Sequence, residues 1–141
     1  MKTKQDTNGE TVIDWQSYVD DDLMSSGYVS GAAIYDSNGS ILANSLDLMI
    51  SEYEFEEIAD GFNGVYPFTE KQDGITIAEM SYYTVYSDDS ESFFGTNGCE
   101  GVYIYKTGAV YLIVTYNNGA DSVECKSVVE SLFDRLKNEG W

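Results

Sequence analysis

Histidine is absent from this sequence. With it go the usual general base near neutral pH and the commonest metal ligand, which argues against nucleophile–histidine triads, zinc sites and haem ligation. Basic residues are scarce as well: 7 Lys and Arg face 25 Asp and Glu, a formal net charge of −18 at pH 7. That imbalance excludes general affinity for nucleic-acid phosphates or anionic lipid surfaces and favours a partner with basic patches, although acidity also serves solubility alone. The two cysteines, Cys99 and Cys125, lie far apart without C-x-x-C spacing. They are expected to be reduced and buried, with no functional role. No apolar run reaches the roughly eighteen residues of a membrane span, and Met1–Glu10 lacks the apolar stretch of a signal peptide, so a soluble, cytoplasmic chain is expected.

What is present fits one domain: 141 residues can close a hydrophobic core without metal or disulfide staples. Residues 1–13 are polar and aperiodic and read as a flexible extension, with the domain over 14–141. Asp14 is placed to N-cap a helix over Trp15–Met24, in which Trp15, Tyr18, Val19 and Leu23 form one stripe and Ser26-Gly27 ends the element. Tyr28–Tyr35 and Ser40–Ala43 read as strands joined by a hairpin turn at Asn38-Gly39, residues that accept positive φ. Ser51 and Glu54 have capping-box spacing ahead of Phe55, Ile58, Ala59 and Phe62, which predicts a second helix ending near Phe62. Pro67 and the neighbouring glycines leave Val65–Asp73 irregular. Gly74–Tyr116 is rich in Tyr, Val, Ile, Thr and Phe, broken by turn signals at Ser87–Ser90, Asn97-Gly98 and Thr107-Gly108, and predicts four or five antiparallel strands. Cys125, Val128, Val129, Leu132 and Leu136 then mark a last helix within Asp121–Glu139. The fold class is α+β, a central antiparallel sheet with an amphipathic helix near each end.

Chemistry is hard to place on this framework. The acidic clusters Asp20–Asp22, Glu56-Glu57 and Asp88-Asp89 fall on solvent faces or turns. The glycine-rich Gly95–Gly101 lacks a G-K-[S/T] ending and runs into a strand, which makes it a turn and no phosphate loop. Ser87–Glu91 has too few ligands at calcium-loop spacing. No cofactor is expected, and the chain reads as a binding domain rather than an enzyme.

The aromatic residues at the two ends are more telling. Trp15 and Tyr18 lie one helical turn apart, and Trp141 is the last residue of the chain. They either anchor the terminal helices on the sheet or, if those helices pack side by side, form an exposed aromatic groove of the kind on which polyproline II segments dock.

Several spaced motifs carry a family resemblance over residues 14–141. Trp15-Gln-Ser-Tyr-Val-Asp20 followed by Gly31-Ala-Ala-Ile34 resembles the opening of profilins. Gly39-Ser-Ile-Leu-Ala43, Gly95-Thr-Asn-Gly98, Tyr105-Lys-Thr-Gly108 and Val128-Val-Glu-Ser-Leu132 are similar to that family's second strand, glycine turn, K-T-G hairpin and last helix. The resemblance implies a profilin-like fold, with the terminal helices on one face of the sheet and smaller helical elements on the other. It implies a cytoskeletal protein that binds monomeric actin, or an actin-like monomer, and regulates its polymerisation, with a proline-rich partner held between the terminal helices. Carried over by position, the polyproline residues are Trp15, Tyr18, Leu42, Arg135 and Trp141, with Leu42 standing where relatives place a further tryptophan, which is expected to weaken the site. The actin residues are Tyr83, Tyr86, Phe94, Thr96, Asn97, Lys126, Ser127 and Glu130. Phe94, Thr96 and Asn97 replace charges common in the family, so the interface would rest on aromatic anchors, and inositol-lipid binding is not expected. A monomer is expected. A roadblock- or longin-like scaffold that binds a small GTPase or dimerises is the alternative with similar architecture.

Overall fold

The computed structural model describes residues 1–45, 48–70, 73–88, 91–117 and 121–141. A strand covered on both faces needs apolar residues at successive positions rather than alternation. Val110–Tyr116 is such a strand, buried along its whole length. In chain order the strands are β1 (Thr3–Gln5), β2 (Thr11–Ile13), β3 (Gly31–Asp36), β4 (Ile41–Asn44), β5 (Ile75–Ile77), β6 (Met80–Asp88), β7 (Ser92–Asn97), β8 (Glu100–Lys106) and β9 (Val110–Tyr116). Among the described residues β1 and β2 form a separate hairpin, and the other strands run in the order β4-β3-β9-β8-β7-β6-β5. The pairings within the larger sheet are antiparallel.

Side-chain alternation sends each strand to two cores. The helical segment α1 runs over 15–26, α-helical at Trp15–Ser17, π-wound at Tyr18–Leu23 and 3₁₀ at Met24–Ser26, and closes on Gly27 at φ 82°. It shares one face with α3, Ser122–Asn138, N-capped by Asp121. There Tyr18, Leu23, Val129, Leu132 and Leu136 pack on Ala32, Ile34, Tyr103, Tyr105, Leu112 and Val114. On the opposite face lie α2, Glu52–Phe62, and a 3₁₀ turn at Phe68–Glu70. Phe55, Ile58, Phe62 and Phe68 cover Ala33, Tyr35, Phe93, Ile104, Tyr111 and Ile113. The layering expected from the sequence is therefore the one observed.

Four local features depart from the sequence reading. Residues 1–13, read as a flexible extension, contain the β1–β2 hairpin, paired Thr3↔Ile13, Lys4↔Val12 and Gln5↔Thr11. The hairpin was not legible because Thr3–Gln5 and Thr11–Ile13 are too short and too polar to show a period. Phe68, inside the segment read as irregular, is fully buried against Phe62 and Phe93. Cys99 is exposed while Cys125 is buried. Cys99 follows Gly98 (φ 62°) in the tight turn between β7 and β8, where side chains project to solvent, whereas burial pushes the Cys125 thiol up to about 12. In the β3–β4 turn only Gly39 takes positive φ (90°), because the Asp36 carboxylate accepts from the Asn38 and Ser40 N–H groups at 2.9 Å and holds the turn. Asp89 and Ser90, part of the turn read at Ser87–Ser90, lie outside the described residues.

The predicted capping box is present: Ser51 Oγ accepts from Glu54 N, and Glu54 Oε1 from Ser51 N, both at 3.1 Å. The same carboxylate reaches across to the turn between β5 and β6 and accepts from Ala78 N at 3.1 Å and Glu79 N at 3.0 Å. Ala78 and Glu79 sit at φ 50° and 69°, a conformation that L residues adopt at a cost. Thus α2 clamps the turn from which β6 leaves.

Among the described residues, no helix is long and apolar enough to cross a membrane, and no group of three or more His, Cys, Asp or Glu could hold a metal ion.

Candidate functional site

Two surfaces gather the residues singled out in the sequence. The first lies where α1 meets the end of α3. Trp15 stands edge-on to Trp141, with ring centroids 5.1 Å apart, and is tilted against Tyr18 at 5.6 Å. Both tryptophans remain partly exposed. Trp141 Nε1 is buried and has no hydrogen-bond partner among the described residues. A buried donor without a partner costs free energy. The chain turns back to place Trp141 here because its N–H donates to Leu136 O at 3.0 Å, past Gly140 at φ 97°.

Tyr18 does not lie open as the groove reading expected. Its exposure is 0%. The phenol donates to Glu139 Oε2 at 2.6 Å and accepts from the Lys2 backbone N–H at 3.0 Å. Burial first, and then the Glu139 carboxylate, raise its pKa above the ordinary phenol value. Arg135 holds Asp22 at 2.9 Å and lies 6.0 Å from the Tyr18 ring centre. Leu42 sits on β4, the strand that α1 crosses, where Gln16 Nε2 donates to Asn44 O at 2.9 Å. The register shifts there, Tyr35 facing Ile41 and Ile34 facing Ala43, so Leu42 is the extra residue of a bulge and turns toward the terminal-helix core.

The second surface is the flank of the same sheet face beyond α3. Tyr83 pairs with Thr96 and Tyr86 with Phe94, across a bulge between Thr84 and Tyr86. The bulge resets the alternation, so Tyr83, Tyr86, Phe94 and Thr96 share one face. Tyr83 and Tyr86 are 59% and 58% exposed. Phe94 stacks on Tyr103 at 4.5 Å, and the Tyr103 hydroxyl donates to Ser122 O at 3.1 Å, which ties this flank to the start of α3. Between sheet and helix runs a cleft of about 460 Å³, lined in part by Tyr86, Phe94, Lys126 and Glu130. Lys126 and Glu130 form an exposed pair at 3.8 Å, and Ser127 is exposed beside them. Asn97 closes the edge, its side chain donating to Ser81 O at 3.0 Å.

The family model described as profilin matches residues 13–141. The chain belongs to the profilin family. Profilin-A of Physarum polycephalum is 36% identical over 129 residues, which is 92% of this chain and 100% of that protein. The solved structure of Acanthamoeba castellanii profilin IA has a TM-score of 0.83 at 32% identity, covering 90% of this chain and 99% of that one. LokiProfilin2, solved in a complex with rabbit actin, shares the fold with a TM-score of 0.70 at 23% identity, over 86% of this chain and 94% of that one. The family match decides between the profilin reading and the roadblock- or longin-like alternative.

Within the profilin, the tertiary structure adds residues that motif spacing did not pick out. Lys2 and Glu139 bond the Tyr18 hydroxyl, and Asp22 pairs with Lys2 and Arg135, the two cations beside the Tyr18 ring. Val85, on β6 beside Tyr86, and Val123, in the first turn of α3, are also 58% and 72% exposed. The available signal for Lys2 was the placing of two of the chain's 7 basic residues, Lys2 and Lys4, within the first five residues.

Proposed function

We propose that this profilin is a cytoplasmic actin-monomer-binding regulator without catalytic activity, engaging the monomer through the β6–β8 flank and the exposed side of α3. The observation that carries the reading is the pair Tyr83 and Tyr86, more than half exposed on a rigid sheet in a member of the profilin family. Large aromatic side chains left in water on a rigid sheet cost apolar hydration and are the usual anchors of protein interfaces. A monomer covered on one end adds to a filament only through its other end, so the effect on assembly is steric and needs no chemistry.

The test is pyrene-actin polymerisation with actin from the same source. Spontaneous assembly is expected to fall in proportion to added protein, and unchanged lag and extent at a large excess would remove the reading. Because the chain carries −18 net charge, the effect is expected to vary with salt.

The Trp15–Trp141 pair supports a second site on the same molecule, for proline-rich segments. Polyproline II docks on aromatic faces with little entropy lost, and the partly exposed Trp15 and Trp141 rings present such faces side by side. Trp15→Ala is expected to weaken binding of a proline-rich peptide about thirtyfold, ~2 kcal/mol for a stacked anchor. The remaining Trp141 reports the titration by fluorescence, and an unchanged affinity would count against the groove.

A further inference from the structure

We propose that the β1–β2 hairpin is a strap that closes the Tyr18 end of this groove, and that a proline-rich segment reaches Tyr18 only when the strap withdraws. The inference rests on the reading of the Trp15–Trp141 surface as a proline-rich-segment site.

Three observations carry it. The strap sits on the groove itself: the Lys2 N–H donates to the Tyr18 hydroxyl at 3.0 Å, and Lys2 Nζ lies 5.6 Å from the Tyr18 ring centre. With those contacts made, Tyr18 is 0% exposed while Trp15 and Trp141 beside it stay partly open. A ligand that stacks on the Tyr18 ring needs the place Lys2 occupies.

The latch is electrostatic and complementary. Lys2 Nζ pairs with Asp22 at 3.0 Å and lies 3.9 Å from Asp21, and Lys4 lies 3.9 Å from Asp14. Lys2 and Lys4 are two of only 7 basic residues in the chain, set against the acidic side of α1.

Beyond these ion pairs, the Met1 ammonium lies 3.3 Å from Glu139 Oε1 and Lys2 Nζ donates to Ser17 O at 3.4 Å, and the strap has little apolar anchorage. Its β-pairs number three, and Thr3, Lys4, Gln5 and Thr11 are exposed. Ile13 alone of its strand residues packs on the core, and Asp14 N to Lys2 O at 2.9 Å fastens its base. A two-stranded hairpin of this size is marginal by itself, and a segment with few buried contacts opens locally at small free-energy cost. The profilin family match begins at residue 13, so all of the strap but Ile13 lies outside the matched part of the chain.

The consequence is a closed state in competition with ligand. Apparent affinity equals the intrinsic affinity reduced by the fraction of molecules whose strap is open. Disrupting the latch therefore raises affinity for proline-rich peptides instead of lowering it.

The experiment titrates the full chain and two full-length variants with a polyproline peptide of about ten residues, read by tryptophan fluorescence. Lys2→Glu turns the latch repulsive. Val12→Pro removes a hydrogen-bond donor opposite Lys4 and leaves every charge in place. Both variants are expected to bind roughly tenfold tighter than the unaltered chain. Raising NaCl from about 20 to about 500 mM is expected to tighten binding by the unaltered chain and to change Lys2→Glu little. Equal affinities in all three proteins overturn the strap and leave the groove standing. Weaker binding by both variants also overturns it, by making the hairpin part of the site. No binding by any of the three removes the groove reading and the strap with it.

Discussion

Glu54→Ala is expected to lower the unfolding free energy by about 2–3 kcal/mol, the scale set by leaving several part-buried backbone donors without their acceptor. Glu54 is only 7% exposed, and its carboxylate serves three N–H groups: Ser51 N at the head of α2, and Ala78 N and Glu79 N in the β5–β6 turn. The turn makes the loss larger than a cap alone. A two-residue hairpin turn with positive φ at both positions ordinarily uses Asn-Gly, whereas here Ala78 and Glu79 hold φ 50° and 69°. Each such residue costs about 1–2 kcal/mol, so the conformation persists because the carboxylate over-determines it. Urea denaturation measures the effect. Glu54→Gln, which keeps an acceptor oxygen, is expected to fall between the two proteins, and adding Glu79→Gly to Glu54→Ala is expected to recover about 1 kcal/mol. A loss under ~0.5 kcal/mol for Glu54→Ala would show that the clamp contributes no more than an ordinary surface residue. The clamp also fixes the start of β6, which carries Tyr83 and Tyr86 a few residues further on.

Those tyrosines give the second large effect. Tyr86→Ala and Tyr83→Ala are each expected to weaken actin-monomer binding by about 2–3 kcal/mol, or roughly 30- to 150-fold, the range of aromatic anchors at the centre of an interface. Unfolding is expected to shift by less than ~0.5 kcal/mol in either, since both side chains are mostly in solvent. That pairing of a large binding loss with an intact fold separates an anchor from a packing residue. Lys126→Ala is the internal contrast: its pair with Glu130 at 3.8 Å is exposed, and its removal is expected to cost less than tenfold. The pyrene assay at graded protein concentrations ranks all three, and a Tyr86→Ala protein that still suppresses assembly at unaltered concentrations would move the interface elsewhere.

How much of this was legible in advance differed from element to element. The capping box at Ser51 and Glu54 was readable because both bonds lie within one turn of chain. The β3–β4 hairpin and α3 were readable for the same reason, their signals being short in sequence. The strands Glu100–Lys106 and Val110–Tyr116 were readable from composition, although full burial on both faces erased their alternation. The Trp15–Trp141 surface was legible in part from the aromatic residues at the two ends, whereas the Tyr83–Tyr86 surface was legible only through the resemblance. Nothing local to Tyr83 or Tyr86 distinguishes an exposed tyrosine from a cross-strand packer until the bulge at Thr84/Tyr86 and the position of α3 are known.

By itself, then, the sequence determined the types of the main helices and strands from residue 14 onward and the lack of histidine, because each depends on residue identity or on spacings shorter than one element. Only the tertiary structure decided that Tyr18 is closed off, that Glu54 serves a second turn and that Cys99 faces solvent. Tyr18 joins residues 16 and 121 positions away at Lys2 and Glu139, and Glu54 joins Ala78 and Glu79 24 and 25 positions on. Such contacts follow from how the sheet and its helices close on one another, and no periodicity along the chain encodes them.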